Sequence, residues 1–184
     1  ILENILFLSG IDATTGMLEV SSSDWLIRDC EFRDSVGQAT DCVTVLDGSD
    51  RLVIDNCRFF MAAGAGANSA IAVVSSDDIE IKNCYIYGNF AVGAIDFRTT
   101  ASARVNIHDC KIWTANAADV AIVDTITGST GWIGPNLQAM LTDNAANITE
   151  AFAGATFQFV DPIYICNLAG EKAMLTNITA STDA

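Results

Sequence analysis

The stretch Ile79-Glu-Ile-Lys-Asn-Cys84 has three relatives in the 184-residue chain, at Trp25–Cys30, Leu52–Cys57 and Val105–Cys110. Each copy reads apolar, x, Ile, x, Asn or Asp, Cys, x, and then Phe or Ile. The cysteines are 27, 27 and 26 residues apart, and we call them the cysteine ladder: Cys30, Cys57, Cys84 and Cys110. A fixed period of roughly 20 to 50 residues is typical of stacked repeats. The sequence therefore predicts a repeat architecture.

The residue before the cysteine position is the most constant feature of the repeat. When the register is extended in both directions, Ile5, Leu137 and Pro162 take the cysteine position in the outer copies. The preceding residue is Asn or Asp in all seven copies, and we call this set the turn ladder: Asn4, Asp29, Asn56, Asn83, Asp109, Asn136 and Asp161. The inward apolar alternation changes phase at this point, so the chain must bend there. Asn and Asp tolerate the left-handed conformation that such a bend requires.

A third apolar segment accompanies each repeat, which predicts three short strands per rung. These segments are Met17–Val20, Val43–Leu46, Ala70–Val74, Ala94–Phe97 and Val120–Val123, with another beginning at Lys172–Ile178. Strands that recur in one direction pair in parallel, and parallel crossovers are nearly always right-handed. We therefore predict an all-β, right-handed parallel β-helix of about seven rungs of 25–27 residues, forming a single domain over residues 1–184. A doubly wound α/β fold would need a helix between strands, and the chain has no capped helical pattern of that length.

The run 79–89, Ile-Glu-Ile-Lys-Asn-Cys-Tyr-Ile-Tyr-Gly-Asn, followed by Gly93–Phe97, resembles the rung pattern of the pectin-lyase-like right-handed β-helices. This superfamily includes polysaccharide lyases and hydrolases, phage tailspikes and adhesins, so the resemblance implies the fold rather than one activity. The runs Asn147–Thr156 and Asn167–Ala173 are similar to β-helical virion proteins of tailed phages. That resemblance implies a capsid or tail protein, assembled in the host cytoplasm. Because residue 1 is an Ile within an apolar stretch, we expect the domain to be part of a longer chain.

Charge and composition restrict the partners. The net charge is −14, whereas binding to a nucleic-acid backbone requires clustered Lys and Arg, so we expect no nucleic-acid partner. No apolar run approaches the length of a membrane span, so we expect no membrane partner. Cysteines stacked in one row behave as small buried hydrophobes and do not converge on a point as zinc ligands do. We expect free thiols, no metal and no cofactor.

Opposite charges alternate at the outward position six residues before the cysteine. We call this row the charge ladder: Asp24, Arg51, Asp78 and Arg104. Neighbours of opposite sign on adjacent strands contribute about 0.2–1 kcal/mol each. The row is expected to fix the register of the rungs. Further charged residues stand two positions before and one after the cysteine, and among them His108 is interpreted as a surface residue.

Only one constellation on the outer side of the third strand could support catalysis. A polysaccharide lyase needs a strong base beside acidic residues, which Asp96, Arg98 and Asp124 could supply. A glycosidase needs two carboxylates about 5–10 Å apart, and Asp96 with Asp119 or Asp124 is the available pair. Three residues over two rungs form a sparse site, so a non-enzymatic protein is favoured.

Small residues in the loops indicate an interface. They occur at Ala62–Ala67, Ala91–Ala94, Ala115–Ala118 and Ala151–Ala155, and charge-depleted strips are typical of contact surfaces. Outward positions near the C-terminus also become apolar, at Ile133, Val160 and Ile163. We therefore predict a structural virion protein that contacts other virion proteins or itself as a homo-oligomer, for example a trimer. The alternative is a carbohydrate-binding or polysaccharide-cleaving domain, tailspike-like or lyase-like and extracellular, and a bacterial surface adhesin is a third option.

Overall fold

The computed structural model describes residues 1–9, 16–34, 39–61, 67–115, 121–124, 126, 128–141, 156–167 and 172–175. In these residues the chain forms twenty short strands and no helix. In chain order they are β1 (Leu2–Glu3), β2 (Leu6–Ser9), β3 (Leu18–Val20), β4 (Leu26–Arg28), β5 (Glu31–Asp34), β6 (Asp41–Val45), β7 (Val53–Asp55), β8 (Arg58–Phe60), β9 (Ser69–Val73), β10 (Glu80–Lys82), β11 (Tyr85–Gly88), β12 (Ile95–Phe97), β13 (Val105–His108), β14 (Lys111–Thr114), β15 (Ile122–Asp124), β16 (Thr130–Ile133), β17 (Leu137–Leu141), β18 (Thr156–Phe159), β19 (Ile163–Asn167) and β20 (Lys172–Leu175).

The strands form three sheets that run along the axis of a coil. The first sheet has the order β1-β4-β7-β10-β13-β16-β18, the second β2-β5-β8-β11-β14-β17-β19-β20, and the third β15-β12-β9-β6-β3. Every pairing is parallel except that of β19 with β20. The predicted parallel β-helix is therefore confirmed. No helix in the described part of the chain is long and apolar enough to cross a membrane.

The number of complete turns is smaller than predicted. The first and second sheets each stack seven parallel strands, but the third has five in the described residues, so about five turns have all three strands. The predicted third strands match β3, β6, β9, β12 and β15 to within two residues. The strand at Lys172 is different: it pairs antiparallel with β19 at the edge of the second sheet.

The core is a series of rows in which equivalent residues of successive rungs lie on top of one another. Phe7 stacks on Phe32 with ring centroids 4.6 Å apart, and Phe32 stacks on Phe59 at 4.9 Å. The cysteine ladder forms another buried row of free thiols. Each of its thiols donates to the carbonyl oxygen two residues earlier, as Cys84 Sγ does to Lys82 O at 3.1 Å. Hydrogen bonding to the next thiol in the row raises the pKa of the Cys57 and Cys84 thiols, and burial also raises it.

The turn ladder lies at the corner between the first and second sheets. Six of its members have left-handed backbone conformations, with φ between 50° and 57°: Asn4, Asp29, Asn56, Asn83, Asp109 and Asn136. Side-chain amides also bridge successive rungs, since Asn83 Nδ2 donates to Asp55 Oδ1 at 2.8 Å. The predicted seventh member is wrong: Ile163 pairs with Leu137, so Pro162 and not Asp161 occupies the position equivalent to Asn136, and Asp161 does not have a positive φ.

The charge ladder lies at the corner where the chain enters the first sheet. Arg51 binds both carboxylate oxygens of Asp24, at 2.7 and 2.9 Å, and Arg104 binds both oxygens of Asp78, at 2.6 and 2.9 Å. These hydrogen bonds lower the pKa of Asp24 and of Asp78. All four residues also have positive φ, from 58° to 65°. The charge ladder is therefore a second left-handed corner, which the charge pattern alone did not indicate.

Two predicted orientations near the C-terminal rungs are wrong. Ile133 pairs with Ile107 and is fully buried, whereas Trp132 is 46% exposed. The reason is an additional residue in the turn before β17, where Gly134-Pro135-Asn136 follows Ile133 and shifts the register by one. The last rung is shifted in the same way, so Ile163 is buried and Tyr164 is exposed.

Candidate functional site

The predicted catalytic residues lie on the third sheet, where Arg98 is held by two carboxylates. Arg98 follows β12, and one of its Nη atoms lies 2.7 Å from Asp41 Oδ1 while its Nε lies 3.0 Å from Asp96 Oδ2. The side chains of Asp41 and Asp96 are only 3% and 4% exposed, and that of Arg98 is 29% exposed. Asp41 was missed in the sequence because it lies two strands away from Arg98, on β6. The three side chains form a compact ion-paired cluster.

Strand register explains how this cluster is placed. Ile95 and Phe97 are in the core, so Asp96 between them projects from the outer face of the third sheet. Its neighbour on β9 is Ala72, whose short side chain separates Asp96 from Thr44 on β6. Thr44 Oγ1 lies 3.5 Å from the second oxygen of Asp41.

Asp124 does not belong to the same face. It pairs with Phe97, one position beyond Asp96, so it projects towards the core and is fully buried. One carboxylate oxygen accepts a hydrogen bond from the backbone N–H of Ile126 at 2.8 Å, and the other has no hydrogen-bond partner among the described residues. The expectation that Asp96, Arg98 and Asp124 share the outer face is therefore wrong for Asp124. Asp119, the other predicted partner of Asp96, lies outside the described residues.

The three carboxyl groups have perturbed acidities. Burial raises the pKa of Asp41, although the hydrogen bond and charge of Arg98 oppose this change. Burial likewise raises the pKa of Asp96, with Asp41 and Asp124 adding to it and Arg98 opposing it. Burial also raises the pKa of Asp124. Buried carboxyl groups with raised pKa values are typical of catalytic acids but also of structural ion-pair clusters.

The chemistry of this cluster is limited by its contacts. Arg98 is occupied by two carboxylates, so it is not free to accept a proton from a sugar carbon. Asp96 and Asp124 project from opposite faces of one sheet and cannot flank a single glycosidic bond. This arrangement resembles a structural ion pair more than an acid–base pair.

His108 was interpreted as a surface residue, and it lies between two carboxylates. Its Nδ1 lies 2.6 Å from Asp109 Oδ2 and its Nε2 lies 3.2 Å from Glu80 Oε1. The other carboxylate oxygen of Glu80, Oε2, forms an ion pair with Lys82 Nζ on the same strand, at 2.7 Å. In the residues that the structure describes, no three His, Cys, Asp or Glu side chains are placed to hold a metal ion.

A row of buried serines was missed in the sequence. Ser49, Ser76, Ser102 and Ser129 occupy equivalent positions and are at most 3% exposed. The hydroxyl of Ser76 donates to Leu46 O at 2.9 Å and accepts from the backbone N–H of Ser49 at 3.1 Å. Their spacing of 26–27 residues, always eight positions before the cysteine position of the repeat, which Leu137 occupies in the last case, would have been sufficient to find them. The row satisfies the backbone at the third-to-first sheet corner and is structural.

An open groove runs across the second sheet beside the turn ladder. Its volume is about 530 Å³, and its lining residues are Asn56, Cys57, Arg58, Phe60, Asn83, Cys84, Tyr85, Asp109 and Lys111. On its floor Arg58, Tyr85 and Lys111 are direct neighbours on β8, β11 and β14. The volume is within the range of small-ligand sites, roughly 300–1,000 Å³. The alternation of Arg58, Tyr85 and Lys111 at the position after the cysteine is visible in the sequence, but it does not by itself indicate a groove.

The small-residue strip lies mostly outside the described residues. Of its four segments, Ala91–Ala94 is described completely, and there Val92 is 39% exposed while Gly93 and Ala94 are buried. In the described part of the strip the exposed apolar residues are Ala91 and Val92, and the interface stays a prediction.

Comparison with known proteins supports the same architecture. The family model described as "Right handed beta helix region" matches residues 9–136, which is more than two thirds of the chain. No curated protein and no solved structure matches the chain. The matched region spans the four copies of the Asn/Asp-Cys stretch and ends at Asn136 of the turn ladder. The chain therefore belongs to the right-handed β-helix family.

Proposed function

We propose that this chain is a structural module, a rigid β-helical segment of a virion that contacts other virion proteins or further copies of itself. The observation that carries the proposal is the state of the predicted catalytic residues. Arg98 is neutralised by Asp41 and Asp96, and Asp124 faces the core. The charged groups that a lyase would use thus stabilise the third sheet.

Ladders of hydrogen bonds and ion pairs between rungs support the scaffold role. Asp24–Arg51 and Asp78–Arg104 join adjacent rungs at one corner, and the turn-ladder amides join them at another. Such rows make each rung dependent on its neighbours, which favours a stiff rod.

Exposed apolar side chains support a role in protein contacts. The large apolar residues that are at least one third exposed include Leu6, Leu8, Val92, Trp132, Val160 and Tyr164. Aromatic residues and charge-poor patches are enriched in interfaces. The virion setting rests on the resemblance of the C-terminal runs to tailed-phage proteins.

Two measurements test the proposal. Purified protein is incubated with pectate, alginate and neutral polysaccharides, and the release of reducing ends or unsaturated products is followed for the natural chain and for Asp96→Ala. We expect no cleavage by either protein. Cleavage that disappears in Asp96→Ala would show that the chain is an enzyme. Light scattering after size exclusion should detect self-association or binding to a co-purified virion protein, and a monomer at micromolar concentration that is also absent from purified particles would contradict the structural role.

A further inference from the structure

The groove on the second sheet has a charge distribution that differs from the rest of the molecule. Six of the described Lys and Arg side chains are ion-paired with a carboxylate: Arg28, Arg33, Arg51, Lys82, Arg98 and Arg104. Among the Lys and Arg residues whose side chains the structure describes, the remaining two, Arg58 and Lys111, have no carboxylate within 4 Å. Both are exposed, and both line the same groove. In a chain with a net charge of −14, the unpaired positive charge of the described Lys and Arg side chains is therefore concentrated at one place.

An aromatic ring separates the two cations. Tyr85 on β11 pairs with Arg58 on one side and with Lys111 on the other. The ring is half-buried, and it is positioned by Phe60 with centroids 5.8 Å apart. An anchored, partly exposed ring offers an apolar face at a low cost in conformational entropy. The floor of the groove is thus a cation, an aromatic ring and a second cation in one line.

The wall of the groove is the turn ladder. Asn56 and Asn83 are exposed there, and their Nδ2 atoms are fixed by Asp29 and Asp55 of the preceding rung. Their amide oxygen atoms are left as positioned acceptors, and Asp109 adds a carboxylate further along. Polar groups that converge on an apolar floor are typical of binding sites that fix the orientation of a ligand.

Spacing narrows the class of ligand. Neighbouring strands lie roughly 4.8 Å apart, so Arg58 and Lys111 are separated by roughly 10 Å across Tyr85. A ligand that matches this pattern has acidic groups on alternate units and an uncharged ring between them. A polysaccharide with an acidic group on every sugar would place one of these groups over Tyr85, and the acidic protein would repel it more strongly.

We propose that this groove is a binding site for a glycan in which acidic and neutral sugars alternate, with Arg58 and Lys111 binding successive acidic groups and Tyr85 contacting the neutral sugar between them. The site lies on the second sheet, away from Asp41, Asp96 and Arg98, and it requires no bond cleavage. It goes beyond the scaffold role, because it assigns the rod a surface that recognises a carbohydrate.

Calorimetric titration with hyaluronan oligosaccharides, in which a uronate alternates with a neutral amino sugar, tests the proposal. Uncharged maltohexaose is the comparison ligand. We expect binding of hyaluronan that weakens as salt is added, with binding of maltohexaose at least tenfold weaker, because a loss of about 1.4 kcal/mol is a tenfold change in Kd. Equal affinity for the two ligands, or no binding of hyaluronan, would overturn the proposal.

Matched variants locate the site. Arg58→Gln combined with Lys111→Gln should weaken hyaluronan binding at least tenfold, since charge-assisted contacts contribute about 1.5–3 kcal/mol each. Arg28→Gln combined with Arg51→Gln removes the same charge from the first sheet and should change the Kd less than threefold. Tyr85→Thr should also weaken binding, whereas Tyr87→Thr, on the same strand but outside the groove, should not. Circular dichroism verifies that each variant is folded, and equal losses in both double variants would show non-specific charge attraction and contradict the assignment.

Discussion

Replacement of Asn83 by Ala and, separately, by Gly distinguishes the two roles of the turn ladder. Asn83 has φ = 54°, and its Nδ2 lies 2.8 Å from Asp55 Oδ1. Ala in a left-handed conformation costs about 1–2 kcal/mol, and loss of the hydrogen bond costs about 1 kcal/mol. We therefore expect Asn83→Ala to lower the free energy of unfolding by about 2–3 kcal/mol.

Gly adopts the left-handed conformation without steric cost but loses more entropy on folding, by about 0.5–1 kcal/mol. Asn83→Gly also loses the hydrogen bond, so it should be destabilised as well, yet it should remain more stable than Asn83→Ala by roughly 0.5–1 kcal/mol. The order of the two variants is the informative result, because it depends on the backbone conformation and not on the hydrogen bond.

Urea unfolding followed by circular dichroism measures both variants, with an unchanged m-value as the condition for comparison. Asn106 on β13 provides the control, because it does not have a positive φ. The Asn106→Gly variant should therefore be less stable than Asn106→Ala. If Asn83→Gly proved less stable than Asn83→Ala, the left-handed corner would not be the reason for Asn or Asp at this position.

Two further predictions concern buried polar groups. Ser76→Ala should lower the free energy of unfolding by about 0.5–1.5 kcal/mol, because Leu46 O and the N–H of Ser49 each lose one of two partners and keep only their bond to each other, whereas Ser75→Ala should be nearly neutral in the same urea titration. The pKa of Asp124 is raised above its ordinary value of 3.8 in the folded protein. Above pH 3.8 the folded protein therefore holds this proton more tightly than the unfolded chain does. The contribution of Asp124 to the free energy of unfolding thus falls as the pH rises from about 4. Asp124→Asn should therefore gain stability relative to the natural chain between pH 4 and pH 7, and a difference in unfolding midpoints that stays constant over this range would refute a buried, titrating carboxyl group.

The repeat could be read from the sequence because the β-helix repeats its environment at every rung. A left-handed corner restricts residue type independently of what surrounds the rung, so Asn56, Asn83 and Asp109 could be aligned without coordinates. Cysteine was replaceable at its position because burial of a small apolar group is the main requirement there, and Leu137 also satisfies it.

The register failed at the ends for a local reason. One additional residue before Leu137 exchanges the faces of Trp132 and Ile133, since side chains alternate with a period of two. No composition signal reports such an insertion, because both residues are large and apolar. Only the pairing of Ile133 with Ile107 shows which of them is buried.

The sequence by itself determined the coil, the positions of its three strands and the corner between the first two sheets, because these depend on local periodicity and on residues that tolerate a positive φ. The tertiary structure decided which charges meet. Arg98 reaches Asp41 across an intervening strand, 57 residues earlier in the chain, while Asp124 faces the core beside Phe97. The same stacking places Arg58 and Lys111 on either side of Tyr85, and Glu31, the other neighbour of Arg58, forms its ion pair with Arg33 instead. Contacts between side chains of different rungs depend on register and reach in three dimensions, so a repeat pattern read along one chain does not specify them.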